Sequence, residues 1–275
     1  MRGLAHFVMT GRKQAILAVV LLGLIPLVNL LNPVVVALVM MRKGVQEGML
    51  ILAWALLPIS VWAVVGDIVP LIMLLGTSGL AWLLRKTESW EFTLLAAIAI
   101  GVSVEIYMRL QPAVLDLVFQ QLELYLTSDT LQGMQLEELR ELMTSFIGAV
   151  YMFLAICLLM LARWMQAALF NPGGFKQEFH QLRIKQKAGL GLVALMLLAN
   201  FAIVLPPAWA MYLLLPLVFA GVSLLHAVVA KKKLSSMWLV VFYALIMLPI
   251  VVELVALLAL IDSWYDFRKR FQLTV

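Results

Sequence analysis

Between Gln14 and Asp262 the chain is a succession of apolar runs, most of them near the length of a bilayer-crossing helix, separated by short polar or basic turns. A transmembrane helix needs roughly 20 such residues. A water-soluble globule cannot hide this much hydrocarbon surface, because its exterior must stay polar. Apolar residues make up 64% of the chain and charged ones only 13%, with a mean hydropathy of +1.04. The solvent these runs require is the lipid bilayer. The chain reads as all-α, a polytopic helical membrane bundle.

The first run, 14–41, contains Pro26, Asn29, Asn32 and Pro33. Proline removes a backbone donor and clashes with the preceding turn, so the run is either one kinked span or a hairpin of two short helices. Further spans are predicted at 45–65, 68–84, 90–108, 144–170, 188–205, 208–230 and 237–262, giving eight or nine transmembrane segments. Loop lysines and arginines set orientation. Arg42, Lys43, Arg85, Lys86, Lys176, Arg183, Lys185, Lys187 and Lys231 to Lys233 fall on one side, assigned to the cytoplasm. The basic N-terminus joins them only if 14–41 is a hairpin, which favours nine segments. That count places Arg268, Lys269 and Arg270 on the opposite side, against the charge rule. The first run lacks the small-residue site of a cleavable signal peptide and is expected to stay in the mature protein.

Residues 110–143 form the one sizeable extramembrane stretch. Asp116, Gln120, Glu123 and Thr127 share a stripe opposite Val118, Phe119, Leu122 and Leu126, the period of an amphipathic helix on the bilayer surface or capping the bundle. Gly133 is expected to end or bend it. Leu136, Leu139, Leu142 and Met143 continue the apolar face, with Glu137, Glu138 and Glu141 on the wet side.

Enzyme signatures are missing: no phosphate loop, no paired-histidine zinc motif and no serine nucleophile elbow. The residues therefore suggest no catalytic group, cofactor or metal. His6, His180 and His226 are far apart in sequence, and Cys157, the single cysteine, lies inside an apolar run as a small core residue. The net charge of +5 sits beside apolar spans, which points to topology and anionic lipid rather than nucleic acid.

Polar groups at membrane depth are the better functional signal, since they face a bundle interior or a cavity. Glu105 and Arg109 lie four apart on one helical face, as an interfacial ion pair or as part of a site. Glu253, after Pro249, has no charged neighbour within a turn and needs a partner on another helix, a proton or a cavity. Asn29 and Asn32 flank the break in the first run, where they either glue helices together or line a site. The candidate ligand-binding set is Asn29, Asn32, Glu105, Arg109 and Glu253.

Three patterns carry a family resemblance: Gly11-Arg12-Lys13-Gln14-Ala15 before the broken run, Met41-Arg42-Lys43-Gly44 followed by Gly48, and Asp262-Ser263-Trp264-Tyr265-Asp266-Phe267-Arg268 at the end. With the basic loop 171–187, the chain resembles the YybS-like family of bacterial inner-membrane proteins. That family is in turn similar to the substrate-binding (S) subunits of energy-coupling-factor transporters over about the first 170 residues. The resemblance implies an S-subunit-like six-helix module at 1–170, with an outer cavity for a small molecule. A basic cytoplasmic loop at 171–187 and further spans with a basic tail at 188–275 would follow it. S subunits dock to their coupling partner through small residues four apart on the first helix. Here only Gly11 and Ala15 have that spacing, with Ala18 a turn later, and the additional spans are a second departure.

The expected function is binding, or movement, of a small molecule or lipid by a multi-pass protein of the bacterial inner membrane without enzymatic activity of its own. Active transport would need a coupling ATPase or an ion gradient. The competing expectation is a structural or assembly factor that contacts other membrane proteins through its basic loops.

Overall fold

The computed structural model describes residues 1–113, 115, 116, 119, 120 and 136–270. All regular secondary structure among them is helical, and the chain divides into two compact units, Met1–Glu88 with Ala96–Phe170, and Ser89–Leu95 with Asn171–Val275. Five helices are long and apolar enough to cross a membrane, or six if one bent pair is a single span. The protein is a multi-pass membrane protein by that criterion.

In the first unit, α1 (Arg2–Thr10) and α2 (Arg12–Leu24) precede a break at Ile25–Leu27 and a short 3-10 turn, Val28–Leu31. Chain direction then reverses into α3 (Asn32–Lys43). The reversal is shown by Arg12, at the start of α2, which pairs with Glu47 just beyond the end of α3 (Nε to Oε2, 2.8 Å). Residues 14–41 are therefore a hairpin. Its helices have 13 and 12 residues, about 20 Å and 18 Å at 1.5 Å per residue, short of a hydrocarbon core of about 30 Å.

Asn32 through Met41 are all buried, because α3 packs against α2, α4 (Val45–Val64), α5 (Val69–Thr87) and α7 (Leu136–Phe170). A helix apolar on every side belongs in such a central place. Its C-terminal carbonyls are met by a cation: the Arg85 guanidinium donates to the carbonyl oxygens of Met40 (3.2 Å) and Met41. The Arg42 guanidinium lies 4.0 Å above the Phe170 ring. Arg12, Arg42 and Arg85 thus gather at one end of this unit.

α6 (Trp90–Leu110) begins in the second unit and continues in the first. α7 starts eight residues before the expected span at 144, so the acidic segment is a continuation of the membrane helix. With 35 residues it is about 52 Å long, and its first turns must project beyond the hydrocarbon. Glu137, Glu138 and Glu141 are exposed there, while Asp116 pairs with Arg140 at 2.7 Å and Phe119 is buried. Val118, Leu122, Glu123, Leu126, Thr127 and Gly133 lie outside the described residues.

In the second unit, a short helix α8 (Gly174–Gln181) leads to α9 (Gln186–Asn200) and α10 (Ala210–Lys231). α9 is shorter than the 188–205 expected, ending at Asn200 before the left-handed Ala202 (φ 51°). The expected span 237–262 is broken into α11 (Met237–Leu245) and α12 (Pro249–Tyr265), bent by 117°. The cause is Pro249, which holds Leu248 extended (φ −87°, ψ 128°). The Lys231 ammonium, before α11, donates to the carbonyl of Arg268, after α12, at 2.6 Å. Both ends of this bent pair lie together, so Arg268 sits at the same end of the unit as Lys231. The expected placement of Arg268, Lys269 and Arg270 opposite the basic loops rested on one unbroken span at 237–262, and the structure breaks that span at Pro249.

Candidate functional site

The tip of the first hairpin is built by residues that prevent a regular helix. Pro26 follows an extended Ile25, and Leu27 adopts left-handed backbone (φ 64°), a conformation costing an L-residue about 1–2 kcal/mol. The backbone N–H of Asn32 donates to the Asn29 carbonyl, and Pro33 occupies the first turn of α3. α2 reaches α4 closely because residue 23 is glycine: a Cβ there would lie 2.5 Å from Cγ of Pro58 and 2.7 Å from Nδ2 of Asn32. The Trp62 indole N–H donates to the Gly23 carbonyl at 2.8 Å and locks the approach. Pro58, inside α4, withholds the donor that would meet the carbonyl of Trp54.

Asn32 is fully buried in this corner, and neither its Oδ1 nor its Nδ2 has a hydrogen-bond partner. Leaving a buried polar atom unpaired costs about 1–3 kcal/mol, so Asn32 is an expensive residue for a purely structural position. Asn29 is 6% exposed at the same tip.

Four residues beyond Trp62, the Gly66 carbonyl accepts a hydrogen bond from the Tyr107 hydroxyl, which in turn accepts from the N–H of Ile68 at 3.5 Å. Tyr107 lies on α6 between Glu105 and Arg109, so these two share the hairpin-tip end of the unit with Asn29 and Asn32. Glu105 is 2% exposed and its Oε1 accepts from Arg109 at 2.7 Å and 3.1 Å. Glu253 lies in the second unit, exposed on α12, with no ion pair or hydrogen bond among the described residues.

No protein-family model, curated protein or solved structure matches the chain. Function rests on the geometry.

One polar constellation was not anticipated. In the second unit Arg183 reaches Asp266 at 2.7 Å and Asp262 at 3.7 Å, and donates to the carbonyls of Asp262 (2.6 Å) and Ser263 (3.0 Å). Arg268 lies 3.5 Å from Asp262 and donates to the carbonyls of Leu182 (2.5 Å) and Ala220 (3.3 Å). The Ser223 hydroxyl donates to the Leu182 carbonyl at 3.0 Å. Burial pushes the Arg268 guanidinium below its ordinary range despite Asp262. At Asp266 burial opposes the charge, but Arg183 and Lys269 prevail and hold the carboxyl below its usual range. Arg183 and Asp262 are 79 residues apart, so only their positions at loop edges hinted at a pairing.

Beside this network is an aromatic and imidazole cluster. The His226 Nε2 lies 2.8 Å from the Tyr243 hydroxyl, and the ring meets Phe179 edge-on at 5.4 Å and His180 at 6.5 Å. His180 is held below its ordinary pKa first by burial, then by Lys176, His226, Arg268 and Lys231. Among the described residues no three His, Cys, Asp or Glu side chains converge as a metal site.

Proposed function

We propose that the chain is a binding protein embedded in the bacterial inner membrane, which takes a small molecule or a lipid at the hairpin-tip end of its first unit and has no enzymatic activity of its own. Asn32 carries this reading. A buried amide with both polar atoms unpaired, at a backbone break, is the arrangement expected of a group reserved for a ligand. Asn29 and the Glu105–Arg109 pair supply further polar contacts at that end. A mutually neutralised acid and base suits a ligand carrying both charges or neither. On this reading α2, α3 and α9 are membrane-embedded beside the five longer helices, giving eight segments, or nine with the bent pair α11–α12 counted as one. The first 170 residues act as an S-subunit-like module, and movement of the ligand would depend on a coupling ATPase or an ion gradient.

Native mass spectrometry of the full chain in mild detergent tests this, comparing the wild type with Asn32→Leu and, separately, Glu253→Gln. A stoichiometric ligand lost in Asn32→Leu, with thermal stability held or raised, supports the site. A bare protein, or a ligand retained by Asn32→Leu, overturns it.

A second reading, a structural or assembly factor, is favoured by the exposed Lys176, Lys185, Lys187 and Lys231 to Lys233 on the second unit. It predicts a co-purifying protein lost when these lysines are changed to glutamine.

A further inference from the structure

At the opposite end of the first unit, α3, α4 and α5 leave an open groove of about 340 Å³, within the ~300–1,000 Å³ typical of ligand sites. Met40, Val45, Met49, Leu52, Leu75 and Trp82 form its apolar lining. Two other lining residues distinguish it from an ordinary crevice between helices. Ser78 is 3% exposed and its hydroxyl has no hydrogen-bond partner. Gly79 leaves open space, since a Cβ there would meet no heavy atom within 4 Å.

The mouth of the groove is basic. The Lys86 ammonium folds back over the Trp82 ring, 5.1 Å from its centroid, and Lys43 is exposed two residues before Val45. Arg85 is engaged with the α3 carbonyls and Arg42 lies on Phe170, whereas Lys86 is exposed to solvent, as is Lys43, which has the Arg12-paired Glu47 within electrostatic range. One helical turn, about 6 Å, separates Trp82 from Ser78.

We propose that this groove holds one acyl chain of an anionic phospholipid, with its phosphate between Lys86 and Lys43. The apolar walls take the chain, and Gly79 provides the room. The Ser78 hydroxyl lies a turn below the phosphate level, where it donates to the ester carbonyl at the head of that chain. Trp82 packs at the interface, as such rings do. The site is separate from the hairpin tip and stands whether or not that end binds a ligand.

The test is native mass spectrometry of the full chain in mild detergent, titrated with phosphatidylglycerol and with phosphatidylcholine of identical chains. The wild type is expected to retain one phosphatidylglycerol at least about fivefold more tightly than phosphatidylcholine, the worth of one lysine at an anionic surface. Lys43→Gln with Lys86→Gln is expected to abolish that preference, and Gly79→Leu to abolish retention of both lipids. If Gly79→Leu melts below the wild type, Leu75→Trp narrows the groove instead, from a position that is already exposed. Equal retention of the two lipids by the wild type, or unchanged retention in the groove-filling variant that melts like it, overturns the proposal.

Discussion

The ammonium of Lys231 donates a hydrogen bond to the backbone carbonyl of Arg268 at 2.6 Å, across 37 residues of sequence. Everything between them enters and leaves the second unit at one end. Two hydrophobic helices that look like one span are thereby folded into a hairpin, and the basic tail joins the basic loops.

That geometry predicts that Lys232 and Lys269 face the same side of the membrane. With Cys157 replaced by alanine, single cysteines introduced at positions 232 and 269 should react with an impermeant maleimide from the same face of oriented vesicles. Labelling from opposite faces would show that α11 and α12 together cross the bilayer.

Asp262 is 2% exposed and lies between Arg183 and Arg268. Removing one partner of a buried ionic cluster typically costs about 3–5 kcal/mol, because the remaining charges stay desolvated. Asp262→Ala should therefore lower the detergent melting temperature by several degrees. Replacing exposed Lys269, which also contacts Asp266 at 3.4 Å, should change it little. Similar melting of the two variants would mean the cluster adds nothing to stability.

The imidazole cluster should make stability depend on pH. The folded pKa of His180 lies below its ordinary value, so the unfolded chain takes up the proton more readily. Its contribution is intact above about pH 6.5 and declines as pH falls through that value toward the folded one. Asp266 is depressed as well. Being an acid, it contributes above about pH 3.9 and loses that contribution only on further acidification. Melting temperature measured from pH 8 to pH 5 should fall for the wild type and fall less for His180→Gln. Parallel curves would remove His180 from the account.

Gly23 and Gly79 should respond oppositely to the same methyl group. At Gly23 a Cβ meets Pro58 and Asn32 below 3 Å, and overpacking of that kind costs about 1–3 kcal/mol. At Gly79 nothing stands within 4 Å, and alanine should be neutral or stabilising by up to about 1 kcal/mol through its helix propensity. Thermal melts of the two variants check the contrast. A tolerant Gly23→Ala would mean that α2 and α4 approach less closely than described.

Parts of the polar geometry were legible in the chain. Glu105 and Arg109 pair as an i, i+4 acid and base should, whereas Asn29 and Asn32, expected to flank the break, both follow it, Asn29 in the 3-10 turn and Asn32 at the start of α3. Glu253 was expected to seek a partner or a cavity, yet it is exposed on α12. Which face of a broken helix turns outward depends on what packs against it, and hydropathy is silent on that point. The acidic segment before residue 144 was read as separate from the span because its charges interrupt the apolar run. Helix geometry does not stop at the edge of the hydrocarbon, and α7 continues through it.

Taken alone, the sequence determined that bilayer is the solvent, that the elements are helices, and that Pro26, Pro33 and Pro249 interrupt them. These are local matters of transfer free energy and backbone sterics, decided within a turn or two of each residue. Tertiary structure alone decided that both broken runs double back and that Arg183 and Arg268 meet Asp262. It also left Asn32 buried without a partner. Those outcomes join residues dozens of positions apart, and they follow from which helices can pack at Gly23 and Gly221, where a methyl group would overlap Pro58 or the Val255 carbonyl.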